Sequence, residues 1–195
     1  MNITPQNTAQ LETFQDLLLK WNAKINLISR NTEHDIWQRH IMDSAQIIKL
    51  IPENAKTLID FGSGAGLPGL IIAILKPEIT VHLIESDARK YAFLREIKAK
   101  LSLTNVTIHN SRIEKIIDLQ ADIITARAFA DVKTFIEFAL PFQNTNCLNI
   151  LLKGSNVVSE IENAKEFYDF NMEMHPSLTD ETGKILTITN IAKKA

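Results

Sequence analysis

The stretch from Leu58 to Gly69 constrains this chain more than any other. Leu58-Ile59-Asp60-Phe61 reads as a short apolar strand, Gly62 to Gly66 as a glycine-rich turn, and Leu67-Pro68-Gly69 as the start of a helix. A second apolar run, Ile79 to Ile84, ends in Glu85. Glycines allow the backbone to pass close to a ligand. A helix start offers unpaired N–H groups. A carboxylate at the tip of the next strand accepts hydrogen bonds from ribose hydroxyls. Together these are half of a nucleotide-type cofactor site.

The glycines alone leave the cofactor open. Gly64-x-Gly66-x-x-Gly69 formally matches the dinucleotide fingerprint, and Glu85 falls at the distance which that fingerprint asks. Its phase is late, however. Counted from the strand end at Gly62, the pattern needs a glycine where Leu67 stands. Asp60 would also set a negative charge beside a pyrophosphate. S-adenosylmethionine has no phosphate and carries an ammonium and a sulfonium, so an acidic strand end suits it better. An α/β turn with spare glycines is the third reading.

From Thr57 onward, strands near 57–61, 79–84, 105–109, 121–126 and 146–152 alternate with helices near 67–75, 87–102, 131–140 and 155–167. Such alternation means a parallel sheet covered by helices on both faces. Phe170 to His175 and Lys184 to Ile191 form a closing hairpin that puts an antiparallel strand at one end of a seven-stranded, mostly parallel sheet. Residues from about 8 to 52 read as helical. Leu11, Phe14, Leu17, Leu18, Trp21 and Ile25 recur at helical spacing, and Thr32-x-x-Asp35 resembles a helix start. The expected division is a helical N-terminal extension, 1–56, packed on an α/β core, 57–195.

Composition narrows the class. Apolar residues make up 45% of 195 positions, enough for a full core, and no run approaches the ~18 apolar residues of a membrane span. Met1 to Pro5 lacks the basic and apolar regions of a signal peptide. The single Cys147 sits in an apolar run and reads as a buried strand residue. A cytoplasmic protein without a membrane partner is expected. With a net charge of -2 and a pI near 6.2, any nucleic-acid surface must be a local patch. Lys20, Lys24, Arg30, Arg39 and His40 could supply one. Arg89, Lys90, Arg95, Lys98 and Lys100 read instead as the solvated face of an amphipathic helix.

Absent motifs exclude several reactions. There is no Walker lysine after the glycines, no Gly-x-Ser-x-Gly elbow, no zinc spacing, and no metal is expected. The fourth strand lacks the Asp-Pro-Pro-Tyr or Asn-Pro-Pro turn suited to methylating an exocyclic amine. It runs instead into Arg127, at the carboxyl end of a central strand where open α/β sheets bind ligands. Arg127 is therefore a site candidate, with an ion pair to a neighbouring carboxylate as the plain alternative. Lys153 ends the next strand and points to the same crevice, with a solvated lysine as its alternative. His40 and Asp43 share a helix face and read as a surface pair.

Several segments then carry a resemblance. They are Trp21-Asn22-x-x-Ile25-Asn26-Leu27, Arg39-His40-Ile41-x-Asp43-Ser44, Asp60 to Gly69, Ser111-Arg112-Ile113-Glu114, Ala126-Arg127-Ala128-Phe129-Ala130 and Leu152-Lys153-Gly154. In this order the chain resembles the bacterial small-subunit ribosomal RNA methyltransferase G family, also called glucose-inhibited division protein B. The resemblance implies a Rossmann-like class I methyltransferase that uses S-adenosylmethionine to methylate a guanine N7 in 16S ribosomal RNA, near the decoding centre. The free RNA or the small ribosomal subunit would be its partner, with the protein itself expected to be a monomer. By motif match Gly62, Leu67, Ile113, Glu114 and Arg127 would contact the cofactor, joining Asp60, Gly64 and Glu85 from the reading above. Arg127 and Lys153 would position cofactor or base, with no general base, because N7 carries no proton. Lys24, Arg30, Arg39 and His40 would face the RNA. The alternative is a small-molecule or protein methyltransferase on the same fold.

Overall fold

The structure is a computed structural model that describes residues 3–194. Met1 and Asn2, the first two residues of the N-terminal stretch that lacks signal-peptide features, lie outside the described residues. Helix α1 (Pro5–Asn22) begins where the Thr4 hydroxyl accepts the Asn7 N–H at 3.2 Å and the Asn7 side chain accepts the Thr4 N–H at 3.2 Å. Pro5 at its first position needs no N–H there. Leu11, Phe14 and Leu18 form its buried stripe.

The rest of the N-terminal region is a chain of short turns. A 3-10 stretch (Arg30–Asp35) leads to a π-helical turn (Trp37–Met42), a single α turn α2 (Asp43–Ala45) and a second 3-10 stretch (Gln46–Leu50). The expected helix start at Thr32 is absent. Thr32 lies inside the first 3-10 stretch, and its hydroxyl bonds Ser29 and His40.

The sheet holds β1 (Thr57–Phe61), β2 (Thr80–Ile84), β3 (Val106–His109), β4 (Ala121–Arg127), β5 (Gln143–Lys153), β6 (Tyr168–Pro176) and β7 (Lys184–Lys193), in the order β3-β2-β1-β4-β5-β7-β6. The first five strands run parallel to one another, and β7 runs antiparallel to both β5 and β6. The reversed strand therefore sits one place in from the edge, a correction to the expectation that it would close the sheet. The inward place suits the chemistry: β7 buries Ile185 to Ile188, while β6 alternates exposed Asp169, Asn171 and Glu173 along the open edge.

Crossovers α3 (Gly69–Leu75) and α4 (Ala88–Lys100) join α1 and the N-terminal turns on one face. Helices α5 (Val132–Ala139) and α6 (Val157–Phe167) cover the other. Strand alternation divides the core accordingly. Leu58, Ile123 and Ile150 belong to the first cluster, and Ile59, Phe61, Ile124 and Leu151 to the second. β1 and β4 lie side by side where the strand order reverses. Their carboxyl ends open a crevice there. Cys147 is buried in β5, and burial pushes its thiol up to about 12.

Candidate functional site

The glycine loop begins where β1 ends. Gly62 and Gly64 adopt φ of +61° and +53°, left-handed values that L side chains avoid. A Cβ at Gly62 would lie 2.7 Å from the Phe129 ring. Glu85, almost fully buried at the tip of β2, is the clamp of this loop. One oxygen accepts the Gly64 N–H at 2.9 Å and the other accepts the Asp87 N–H at 2.8 Å.

Around this clamp lies a cavity of about 280 Å³. Gly62, Ile84, Glu85 and Ser86 form one wall, and Arg112, Ile113 and Glu114 another. Phe129, Ala130, Thr134 and Phe138, from the turn after β4 and from α5, complete the lining together with Ser111. Of the expected site residues, Gly62, Glu85, Ile113 and Glu114 meet here. Ser86, Arg112, Phe129 and Phe138 were missed. The two phenylalanines pack edge to face at 5.7 Å, a contact that spacing along the chain does not reveal.

Asp60 and Leu67 stand apart from the cavity. The Leu67 side chain is buried in the core cluster on the α1 face. Asp60 has no exposed surface. Its Oδ1 accepts the Thr125 hydroxyl at 2.8 Å, while Oδ2 has no hydrogen-bond partner among the described residues. Burial raises its carboxyl to about 7, against the opposing pull of its hydrogen bonds. A neutral carboxyl is the form that tolerates a starved oxygen.

Arg127 faces the N-terminal turns. Its Nη2 donates to the Arg39 carbonyl at 3.1 Å and to His40 Nδ1 at 2.9 Å, and its Nη1 lies 3.4 Å from Asp43. Asp43 in turn accepts from Gln46 at 2.8 Å and from Thr179, in the turn between β6 and β7, at 2.6 Å. His40 is buried and no surface partner of Asp43, a correction to the helix-face reading and to its expected exposure to RNA. Arg39 is half-buried and paired with Asp180 at 2.8 Å. Lys24 and Arg30 remain exposed.

Lys153 is tied down rather than solvated. Its ammonium lies 2.5 Å from Glu160 on α6 and donates to the Ala130 carbonyl at 2.7 Å. It thus braces the turn that carries Phe129 and Ala130 into the cavity. Among the described residues no cluster of three or more His, Cys, Asp or Glu could hold a metal ion, and no helix is long and apolar enough to cross a membrane.

Comparison with known proteins agrees with this geometry. The family model described as rRNA small subunit methyltransferase G matches residues 7–188. A ribosomal RNA small subunit methyltransferase G from Rickettsia rickettsii is 43% identical over 201 aligned positions, covering 99% of both chains. One from Rhodospirillum centenum is 40% identical, covering 98% of this chain and 88% of its own. Among solved structures, TYW2 of M. jannaschii in complex with AdoMet superposes with a TM-score of 0.62 at 15% identity, over 88% of this chain and 80% of its own. An O-methyltransferase from Bacillus cereus in complex with SAH gives 0.58 at 14%, over 91% of each chain. At such identities these two share the fold alone.

Proposed function

The chain belongs to the family of rRNA small subunit methyltransferase G, and from that premise we propose that it methylates a guanine N7 in 16S ribosomal RNA. The cofactor is S-adenosylmethionine, which when bound supplies a methyl group activated by its sulfonium. The residues present fit it. Gly62 lets the loop pack against the Phe129 ring where a Cβ would clash, Glu85 offers carboxylate oxygens for a ribose, and Ile84, Ile113, Phe129 and Phe138 offer apolar walls for an adenine.

The observation that carries the N7 reading is the state of the acidic groups. Of the carboxylates that line the cavity, Glu85 is engaged by two backbone N–H groups and Glu114 is exposed. Guanine N7 has an in-plane lone pair and no proton, so its methylation needs no base. Holding N7 in line with the methyl donor and excluding water suffices, and orientation of this kind can supply roughly 7–11 kcal/mol of a barrier.

In this reading Gly62, Gly64, Glu85, Ile113 and Glu114 bind the cofactor. Asp60 acts from beneath the glycine loop, and Arg127 fixes the crevice between core and N-terminal turns. Lys153 holds the Phe129 turn. The extension 1–56 carries RNA-facing cations, Lys24 and Arg30 among them, on a core of residues 57–195. The test is to incubate the protein with S-adenosylmethionine and small ribosomal subunits from cells lacking the gene, then map N7-methylguanosine by chain cleavage. One new cleavage site in 16S RNA is expected. Methyl transfer confined to protein, or to another base atom, would overturn the assignment.

A further inference from the structure

With His40 buried and Arg39 paired to Asp180, the expected RNA surface loses two of its four residues. The structure offers a different one. The loop 23–29 after α1 has no regular structure, yet it is firmly held. Asn22, 3% exposed, accepts the Leu27 and Ile28 N–H groups through one oxygen, at 2.8 and 2.9 Å, and donates to Glu33 at 2.6 Å. Trp21 donates to Glu96 of α4 at 2.9 Å and packs on Phe93. The motif Trp21-Asn22-x-x-Ile25-Asn26-Leu27 thus seats this loop beside the start of α4.

Between them runs a cleft of about 340 Å³ walled by Lys24, Ile25 and Asn26 on one side and Asp87, Arg89 and Lys90 on the other. A second concavity of about 600 Å³ shares Asn26 and ends at Arg30. Among the described residues Lys24, Arg30 and Lys90 form no ion pair. The one carboxylate in the cleft, Asp87, is already engaged by the Arg89 and Lys90 N–H groups at 2.8 and 3.1 Å and by the Arg89 guanidinium at 3.3 Å. The cleft starts at the turn 85–87, whose Glu85 and Ser86 line the cofactor cavity.

We propose that Arg30, Lys24, Lys90 and Arg89, around Asn26, form a preformed track for the ribosomal RNA backbone that leads to the cofactor cavity. This rests on the methyl-acceptor reading above. Four cations with a single, already neutralised carboxylate suit a polyanion. Fixed positions on a braced loop lower the ordering cost of holding a single-stranded segment. The plain alternative is a solvated helix face, which gives no reason for a buried asparagine to shape the opposite wall.

The test is a salt titration of binding to a 16S ribosomal RNA transcript, with Lys24→Ala/Lys90→Ala against the native protein. A second pair, Lys165→Ala/Lys193→Ala, removes equal charge from exposed positions on α6 and β7. Loss of two phosphate contacts should reduce the slope of log affinity against log salt by about 1.4, with binding weaker by about tenfold or more at low salt. Cofactor affinity by calorimetry should stay unchanged, and the control pair should keep the native slope. If native protein binds with a steep slope and both pairs match it, or both reduce it equally, the track is wrong and the methyltransferase reading stands. If native protein neither binds the RNA nor methylates it, that underlying reading fails and the track with it.

Discussion

Arg127 Nη2 lies 2.9 Å from His40 Nδ1, and this contact dictates the state of the imidazole. A guanidinium only donates, so Nδ1 must accept and the ring proton sits on Nε2. Nε2 then donates to the Thr32 hydroxyl at 2.8 Å, which passes its own hydrogen to the Ser29 carbonyl at 2.8 Å. The chain of donors is complete only with His40 neutral. Burial, and then the charges of Arg127 and Arg39, hold its pKa at about 4. The central strand tip and the N-terminal turns are thereby locked into one polar unit.

Arg127→Lys should therefore behave almost like Arg127→Ala. A lysine keeps the charge, but one ammonium cannot serve the Arg39 carbonyl, His40 and Asp43 with a planar fork's geometry. Each variant is expected to lose about 10²-fold or more in methyl transfer, the scale of a small misplacement of reacting groups. The residual rate should lose no ionisation that the native enzyme shows between about pH 6 and 9, since arginine stays charged there. Near-normal turnover of Arg127→Lys in a pH-rate series would show that the lock is dispensable.

Two buried groups should oppose each other in the pH dependence of stability. His40 falls from 6.5 to about 4 on folding, so between those values the unfolded chain binds more protons and stability is lost as pH drops. Asp60 rises from 3.8 to about 7, so over nearly the same window the folded chain binds more protons and stability is lost as pH rises. Each is worth on the order of 3 kcal/mol, with opposite sign. Native protein should thus show a shallow profile from about pH 4.5 to 6.5. Asp60→Asn should lose stability as pH falls, and His40→Asn should lose it as pH rises. Denaturant midpoints across the window test this, and parallel profiles for the two variants would contradict it.

The parallel core was legible because its signals are local. Apolar runs, Gly62 to Gly69 and Glu85 each report on the residue's own surroundings. The seven-stranded sheet and the cavity wall at Gly62 and Glu85 follow from them. The N-terminal turns were not legible in the same way. Asp43 and Gln46 are bonded to residues 177–179, more than 130 positions away, and nothing in a helical period announces that contact. The place of β7 was hidden for a related reason. A hairpin pattern sets the pairing of β6 with β7 but not which of them meets β5. Burial decides, and it favours the more continuously apolar strand.

Gly62→Val should separate binding from folding. A β-branched residue at φ +61° costs about 1–2 kcal/mol, and its Cβ meets the Phe129 ring at 2.7 Å. The ring lines the cavity, so any shift that makes room for the new side chain reshapes the cavity wall. A modest fall in melting temperature with loss of S-adenosylmethionine binding by calorimetry is expected. Unchanged cofactor affinity would move the site away from the glycine loop.

Lys153 offers the sharpest separation of bracing from direct contact. Its side chain is 11% exposed, and its ammonium is divided between Glu160 and the Ala130 carbonyl. Lys153→Met would leave that carbonyl without a donor and Glu160 with only the Val132 N–H, at 3.2 Å. Stability should fall by about 1–3 kcal/mol, the cost of a buried polar group left unpaired. The Phe129 turn should loosen, so cofactor affinity falls several-fold while RNA affinity holds. If Lys153 acts through Glu160, then Lys153→Met and Glu160→Gln should be strongly non-additive, with a coupling of about 0.5–3 kcal/mol. Additive losses, or a fall in turnover with cofactor affinity intact, would instead mean that the ammonium leaves Glu160 and touches the reacting molecules itself.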